Sequence, residues 1–279
     1  MIASDLSAFE CVVPATVEEA LRQRAETPGL SPIAGGTEVM VLLNEAKLQG
    51  RKFQSLHRLA AEWRYVRPAL DGGLLVGALA TYTDLRHLDH VSKHHPLLVE
   101  AARATGALQI QNRATIAGNI VNGSPAADTV PALMVYDARL RLVRSGGERI
   151  VPLSEFYTGY RKSVLAPDEL LAEIILPPAD FISQYYRKVG TRAAQAISKV
   201  VLAAARRGPD VRLAWGSVAA TTVRTRRTEQ AIAGGATADE ACEALRAEIK
   251  PLDDIRSTGA YRMGVACNLL REFMVGATT

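Results

Sequence analysis

Polar and apolar positions alternate along this chain with two different periods, and the switches between them mark its elements. The segment TVEEALRQRAE opens on Thr16 with Glu19 three residues later, the arrangement of a capping box, and closes at Pro28-Gly29; a helix is predicted there. LSPIAGG reads as a short strand running into a glycine turn, and TEVMVLLNEAKL carries Val39, Leu42, Leu43 and Ala46 at helical spacing. A strand, a glycine turn and a second helix therefore follow one another. Downstream, RYVRPAL and GGLLVGALA predict strands, TDLRHL a short capped helix, and HPLLVEAARATG a helix with proline in its first turn and Gly106 at its end. The strands ARLRLVRS and ERIVPL join across Ser145-Gly146-Gly147, which is hairpin chemistry.

The texture changes around Pro177-Pro178. Beyond it QYYRKVG, AISKVVLAAARR and DVRLAWGSVAAT read as successive antiparallel strands, the last two turning at Gly208-Pro209-Asp210. Two helices follow, at ADEACEALRAEI and TGAYRMGVACNLLREFM. The order of elements predicts an α+β chain with a separate, smaller C-terminal lobe, not a doubly wound nucleotide-type sheet.

Composition sharpens this in four places. A length of 279 residues with 48% hydrophobic content supports two or three lobes with real cores. The net charge of +4 comes from 33 Lys and Arg against 29 Asp and Glu, scattered along the chain; RTRR, Arg224 to Arg227, reads as a solvated loop or a helix start, so no nucleic-acid partner is expected. No apolar run approaches the roughly 20 residues of a membrane span, and the N-terminal MIASDLSAFE has neither a basic head nor an apolar signal core, so the expected location is cytoplasmic. Cys11, Cys242 and Cys267 stand far apart with no CxxC or Cys/His spacing; they read as three core thiols, with no metal ligands. His57, His87, His90, His94 and His95 are dispersed or lie in one exposed-looking run, with His94-His95 before Pro96 marking a polar helix entrance. No general-base constellation results, and no catalytic side chain is expected.

Two stretches carry the candidate chemistry. GxGxxG and Walker A patterns are absent. AGGT at the strand-to-helix junction is either a packing turn or a pyrophosphate seat made of bare backbone amides at a helix N-terminus, with the Thr37 hydroxyl as a further donor. GGLLVG, Gly72 to Gly77, is explained by a hairpin turn. QNRATIAGNIVNGSPAADTVPAL, residues 111–133, concentrates small residues, hydroxyls, amides and a carboxylate with little helix or strand character. Thr115, Gly118, Asn119, Ser124 and Asp128 are residue types that hold phosphate and ribityl hydroxyls, and the segment reads as a ligand loop in preference to a long connector. For Asp128 itself, a cofactor contact and a cap on the segment beginning at Thr129 are both open.

IAGGTEVMVLLN, NRATIAGNIVNGSPAADTVPAL and FYTGYRKSVLAPDELLAEIILP, in this order, resemble the flavin subunit of the molybdenum hydroxylases, the xanthine dehydrogenase and carbon monoxide dehydrogenase superfamily, over nearly the whole chain. The resemblance implies an FAD-binding domain of the vanillyl-alcohol-oxidase type made of two α+β subdomains (residues 1–58 and 59–177), and a C-terminal α+β domain (178–279) with an antiparallel sheet and helices. It places Ala34, Gly35, Gly36, Thr37 and Glu38, flanked by Ile33 and Val39, in a first FAD cradle and Thr115, Ala117, Gly118 and Asn119 in a second. Asp128 matches a polar contact to FAD, Leu165 an apolar one, Lys188 a basic one from the C-terminal domain, and Thr81 a hydroxyl near the cofactor. Ala117 departs from the family's usual glycine; its methyl group suits a helical or extended backbone and disfavours positive φ. By the same resemblance, substrate is hydroxylated at a molybdopterin cofactor in a large partner subunit. Electrons pass through 2Fe-2S clusters of a small iron–sulfur subunit to the FAD held here and on to an external acceptor such as NAD+ or O2. GYRKSVLAPDELL leans toward the xanthine dehydrogenase branch, with an N-heterocycle or an aldehyde as the implied substrate class. A stand-alone FAD-dependent oxidoreductase of the same fold, and a cofactor-free binding protein whose glycines only shape turns, are the rival readings.

Overall fold

The structure is a computed structural model that describes residues 8–48 and 50–276. Its first unit is a small parallel sheet with helical crossovers. β1 (Glu10–Val12), α1 (Val17–Glu26), β2 (Ser31–Ile33), α2 (Thr37–Asn44) and β3 (Lys52–Ser55) follow in chain order, and both outer strands pair with β3 in parallel, giving the order β1-β3-β2. Thr16 caps α1 by accepting the Glu19 amide at 3.2 Å, while the Glu19 carboxylate turns back to the Ala15 amide at 2.7 Å. The helix expected over 37–48 stops at Asn44, because Ala46 takes a positive φ of 54° and ends the run.

The second unit begins with α3 (Ala60–Trp63), β4 (Val66–Pro68) and β5 (Leu74–Gly77), whose connection turns at Gly72 with φ 89°. Six helices follow: α4 (Tyr82–Arg86), α5 (Asp89–His94), α6 (Pro96–Ala104), α7 (Leu108–Gln111), α8 (Ile116–Asn122) and α9 (Val130–Val135). The strands β6 (Arg139–Arg144) and β7 (Gly147–Pro152) form the expected hairpin, the two-stranded β8 (Tyr157–Gly159) and β9 (Lys162–Ser163) project beside it, and β10 (Leu170–Leu176) completes an antiparallel sheet ordered β4-β5-β10-β6-β7. Residues 111–133 are thus not an irregular loop. They contain α8 and α9, and every residue of α9 is buried, as are Ile116, Ala117 and Ile120 of α8. Burial overrides the poor helix propensity of Gly, Asn, Thr and Val there.

The third unit is the meander β11 (Ser183–Val189), β12 (Val200–Arg207), β13 (Asp210–Gly216) and β14 (Val223–Arg224), backed by α10 (Arg226–Ala233), α11 (Ala238–Glu248) and α12 (Gly259–Gly276). One core joins the first two units and another fills the third, where Trp215, Leu213 and Phe273 are almost fully buried. Arg224 is not a solvated residue: its side chain is 6% exposed and forms a two-point ion pair with Glu229, itself 6% exposed, while Arg226 opens α10. Cys242 and Cys267 are buried as expected, but Cys11 lies exposed on β1, so only two of the three thiols belong to the core. No described helix is long and apolar enough to cross a membrane.

His95 also departs from expectation. It is fully buried at the junction of α5 and α6, stacks edge-on against Tyr136 at 4.9 Å between centroids, and its Nε2 donates to the Pro177 carbonyl at 3.2 Å, while Nδ1 has no partner. Burial holds the imidazole down to about 4, opposed by the Pro177 bond and reinforced by nearby His90 and His94. The folded chain therefore keeps His95 neutral where the unfolded chain, titrating near 6.5, takes up a proton. Its contribution is intact above about pH 6.5 and is lost as pH falls toward 4, by about 3 kcal/mol at most. Urea unfolding at pH 7.5, 5.5 and 4.5 is expected to show this loss, and His95→Gln should flatten that part of the slope.

Candidate functional site

The two glycines after β2 have different roles. A Cβ on Gly35 would stand 2.1 Å from the Arg113 carbonyl oxygen and 2.9 Å from the Ala114 Cα, so here the turn packs backbone to backbone against the segment that leads into α8. Gly36 is the N-cap of α2 with φ 74°, in the left-handed region that L side chains avoid. The nearest atom to an added Cβ is Ile33 Cγ2 at 3.7 Å, so its backbone faces open space. No side chain caps α2. Its first-turn amides lack intrahelical acceptors and carry the positive end of the helix dipole. The question left open by AGGT is answered by division: Gly35 is a packing glycine, and Gly36 opens a helix N-terminus.

Opposite stands α8. Thr115 caps it by accepting the Gly118 amide at 3.0 Å, Gly118 is exposed, and Ala117 is helical and 5% exposed, a backbone that accepts its methyl group. Between the two helices lies a cleft of about 400 Å³. Ile33, Ala34, Gly35, Gly36, Thr37, Glu38 and Val39 form one wall, Thr115, Ala117, Gly118 and Asn119 the other, and Leu165 closes it together with Leu170 and Leu171. Glu169 also lines it, but Arg149 grips both carboxylate oxygens at 2.7 and 2.8 Å and holds the carboxyl below its ordinary range. Twelve of the sequence-derived positions converge on this one cleft. A larger cavity of about 550 Å³ sits between the second and third units, where Arg207 and Arg212 are already paired with Asp180, Asp137 and Asp210.

Thr81, Asp128 and Lys188 do not line the cleft. The Thr81 hydroxyl is taken up in a capping box with Asp84 at the start of α4. Asp128 Oδ2 accepts from Lys188 Nζ at 2.6 Å, and the same ammonium donates to the Ala104 carbonyl at 2.8 Å. Asp128 makes no cap, since Thr129 opens α9 without a side-chain bond. The other carboxylate oxygen is buried and makes no hydrogen bond of good geometry, with the Ser198 hydroxyl nearby, and burial pushes the carboxyl up to about 6 against the pull of Lys188 and Ser198. Each side chain of the pair is only 10% exposed. Asp128→Ala would strand a buried ammonium, so a loss of about 3 kcal/mol is expected in chemical denaturation. The double variant Asp128→Ala/Lys188→Met should recover most of it.

Sequence reading passed over Tyr82, Thr105, Ile110, Leu56, Ala78 and Leu79, all of which line the cleft. Tyr82 is 1% exposed, and its hydroxyl oxygen accepts from Thr129 Oγ1 at 3.0 Å; the same Thr129 group lies 3.3 Å from Asn119 Oδ1. For Ala78, Leu79 and Tyr82 the only signal is the apolar tail GALATY after β5, which looks like any buried strand end; Leu56, Thr105 and Ile110 lie in separate segments that carry no such signal.

Residues 7–179 match the family described as "FAD binding domain in molybdopterin dehydrogenase", and residues 184–277 match the "CO dehydrogenase flavoprotein C-terminal domain". The chain belongs to the FAD-binding subunits of the molybdenum hydroxylases. It is 32% identical over 260 residues to the xanthine dehydrogenase FAD-binding subunit of Escherichia coli O157:H7, covering 89% of each chain. Identity to the glyceraldehyde dehydrogenase medium chain of Sulfolobus acidocaldarius is 30% over 265 residues, 92% of this chain and 94% of the relative. Among solved structures, carbon monoxide dehydrogenase from Hydrogenophaga pseudoflava superimposes with a TM-score of 0.88 at 26% identity, covering 95% and 96% of the two chains. The α+β architecture is that of these flavoprotein subunits, and FAD is the cofactor of this molybdenum-hydroxylase subunit. The cleft fits it: the uncapped α2 N-terminus suits a pyrophosphate, and the leucines and Tyr82 suit flat ring systems.

Proposed function

We propose that this flavoprotein subunit holds one FAD between the β2–α2 turn and α8, takes electrons from 2Fe-2S clusters of a small iron–sulfur subunit, and passes them to an external acceptor, NAD+, O2 or another. The observation that carries the reading is the single cleft in which the left-handed Gly36, the bare N-terminus of α2 and the Thr115-capped α8 face one another. Bound FAD supplies a store for two electrons that exchanges with one-electron carriers. The chain's own residues bind and orient: Gly36, Thr37 and Glu38 present first-turn amides, Gly118, where a Cβ would press on Thr115 Oγ1 at 2.9 Å, keeps the cap of α8 in place, and Leu165 and Tyr82 shield the walls from water. Asp128 and Lys188, outside the cleft lining, are proposed to reach the cofactor from the side of the third unit, with Asp128 Oδ1 as acceptor. Thr81 acts through its cap on α4. The proposed division is FAD-binding subdomains at 1–58 and 59–177 and a C-terminal domain at 178–279.

Hydroxylation belongs, in this proposal, to a molybdopterin cofactor on a large partner subunit, in a cytoplasmic complex acting on an N-heterocycle or an aldehyde. The relatives named as xanthine and glyceraldehyde dehydrogenase subunits support that pair of classes. The test is recovery of the tagged chain from its own cells. FAD, molybdenum and iron in constant ratio are expected, whereas FAD with neither metal would favour the stand-alone flavoenzyme.

A further inference from the structure

Among the described residues, three ties join the two sides of the cleft. The first is the backbone contact of Gly35 with 113–114. The second is the ion pair of Glu38 with Arg161 at 3.3 Å, with both side chains more than 40% exposed. The third is Arg24, on α1 and 8% exposed. Its Nη1 donates to the Leu30 carbonyl at 2.8 Å, its Nη2 donates to the Pro167 carbonyl, and its Nε is buried without a partner. Leu30 leads directly into β2 and the glycine turn, while Pro167 lies between Leu165 and Glu169, both on the opposite side of the cleft.

The loop 163–169 is stiffened from its own side. Arg149 holds Glu169 and the Val164 carbonyl, the Glu169 carboxylate accepts the Ala166 amide at 2.8 Å, and Ser163 Oγ accepts the Leu165 amide. Arg24 ties this braced loop to the first unit through the Pro167 carbonyl. A guanidinium buried against two carbonyls, with only the nearby Asp168 carboxylate as countercharge, is a costly arrangement if it only stabilises a fold. Its planar fork reaches two acceptors at once, which a single ammonium on a shorter stem does not reproduce.

We infer that Arg24 is a positioning residue for the cofactor: by bridging the Leu30 and Pro167 carbonyls it fixes the width of the cleft and thereby the affinity for FAD. This rests on the FAD reading above. The residue is not among those lining the cleft, and acts through the β2–α2 turn and the Leu165 loop.

The experiment uses the apo-chain, the wild type and the variants Arg24→Met and Arg24→Lys, with FAD added and flavin fluorescence followed. Arg24→Met is expected to raise the dissociation constant about thirty-fold and Arg24→Lys about ten-fold, the latter equal to about 1.4 kcal/mol. Each variant is also melted with and without saturating FAD. A purely structural Arg24 lowers both melting temperatures equally, whereas a positioning Arg24 shrinks the gain that FAD confers. If Arg24→Met does not fold, Arg24→Lys decides alone. Wild-type affinity and an undiminished FAD gain in a folded variant would overturn the inference while leaving the cofactor reading intact; absence of FAD binding by the wild type would instead overturn that reading itself.

Discussion

Replacing Gly35 by alanine is expected to abolish FAD binding and to cost about 5 kcal/mol of stability or more, in the range reached when a core position has no room to relax. The reason is geometric. The added methyl would lie 2.1 Å from the Arg113 carbonyl oxygen and 2.8 Å from its carbonyl carbon, and these are backbone atoms that cannot rotate away. Relief requires the β2–α2 turn to back off from the segment entering α8, which widens the cleft where both walls must meet the cofactor. Gly36→Ala is the internal comparison. Its methyl group would meet no atom of the chain closer than 3.7 Å, so its cost in stability is only the strain of φ 74°, about 1–2 kcal/mol. Urea unfolding of the two variants should therefore differ sharply. Equal behaviour would mean that the close approach of Gly35 to Arg113 does not set the cleft.

The second large effect is an absence of turnover. The isolated, FAD-loaded chain is expected to show no substrate-dependent dye reduction with purines, nicotinate-like heterocycles or aldehydes, while the assembled complex reduces the dye with one of these classes. Among the described residues no three His, Cys, Asp or Glu side chains converge as metal ligands; Cys242 and Cys267 are buried neighbours, with Cys242 Sγ 3.6 Å from the Cys267 carbonyl, but all three cysteines are free thiols. Of the titratable groups in the cleft, Glu169 is locked to Arg149, Glu38 is paired with Arg161, and burial raises the Tyr82 hydroxyl far above its ordinary range. Substrate-dependent turnover by the metal-free chain would favour the stand-alone oxidoreductase.

The first wall of the cleft was legible because strand, glycine pair and helical spacing are local signals within 31–44. The second was legible only as composition. Gly118, Asn119 and Asn122 argue against a helix on propensity, and α8 forms because Ile116, Ala117 and Ile120 bury one face. The ion pair of Asp128 with Lys188 joins residues 60 apart, and the bridge from Arg24 to Pro167 joins residues 143 apart. No periodicity reports such partners, which exist only once the three units are packed. His95 misled for the same reason: a His-His-Pro run reads as an exposed helix entrance, and only the approach of Pro177 and Tyr136 encloses it.

The central claim is that this one cleft is an FAD seat. It is tested most directly by titrating the apo-chain with FAD, following flavin fluorescence and the visible spectrum, and then precipitating the complex with acid. One FAD per chain, bound with quenched fluorescence and released intact by acid, is the expected result; neither cradle segment, 33–39 or 115–119, contains a histidine or cysteine to form a covalent link. A folded, colourless chain that takes up no added FAD would contradict the account.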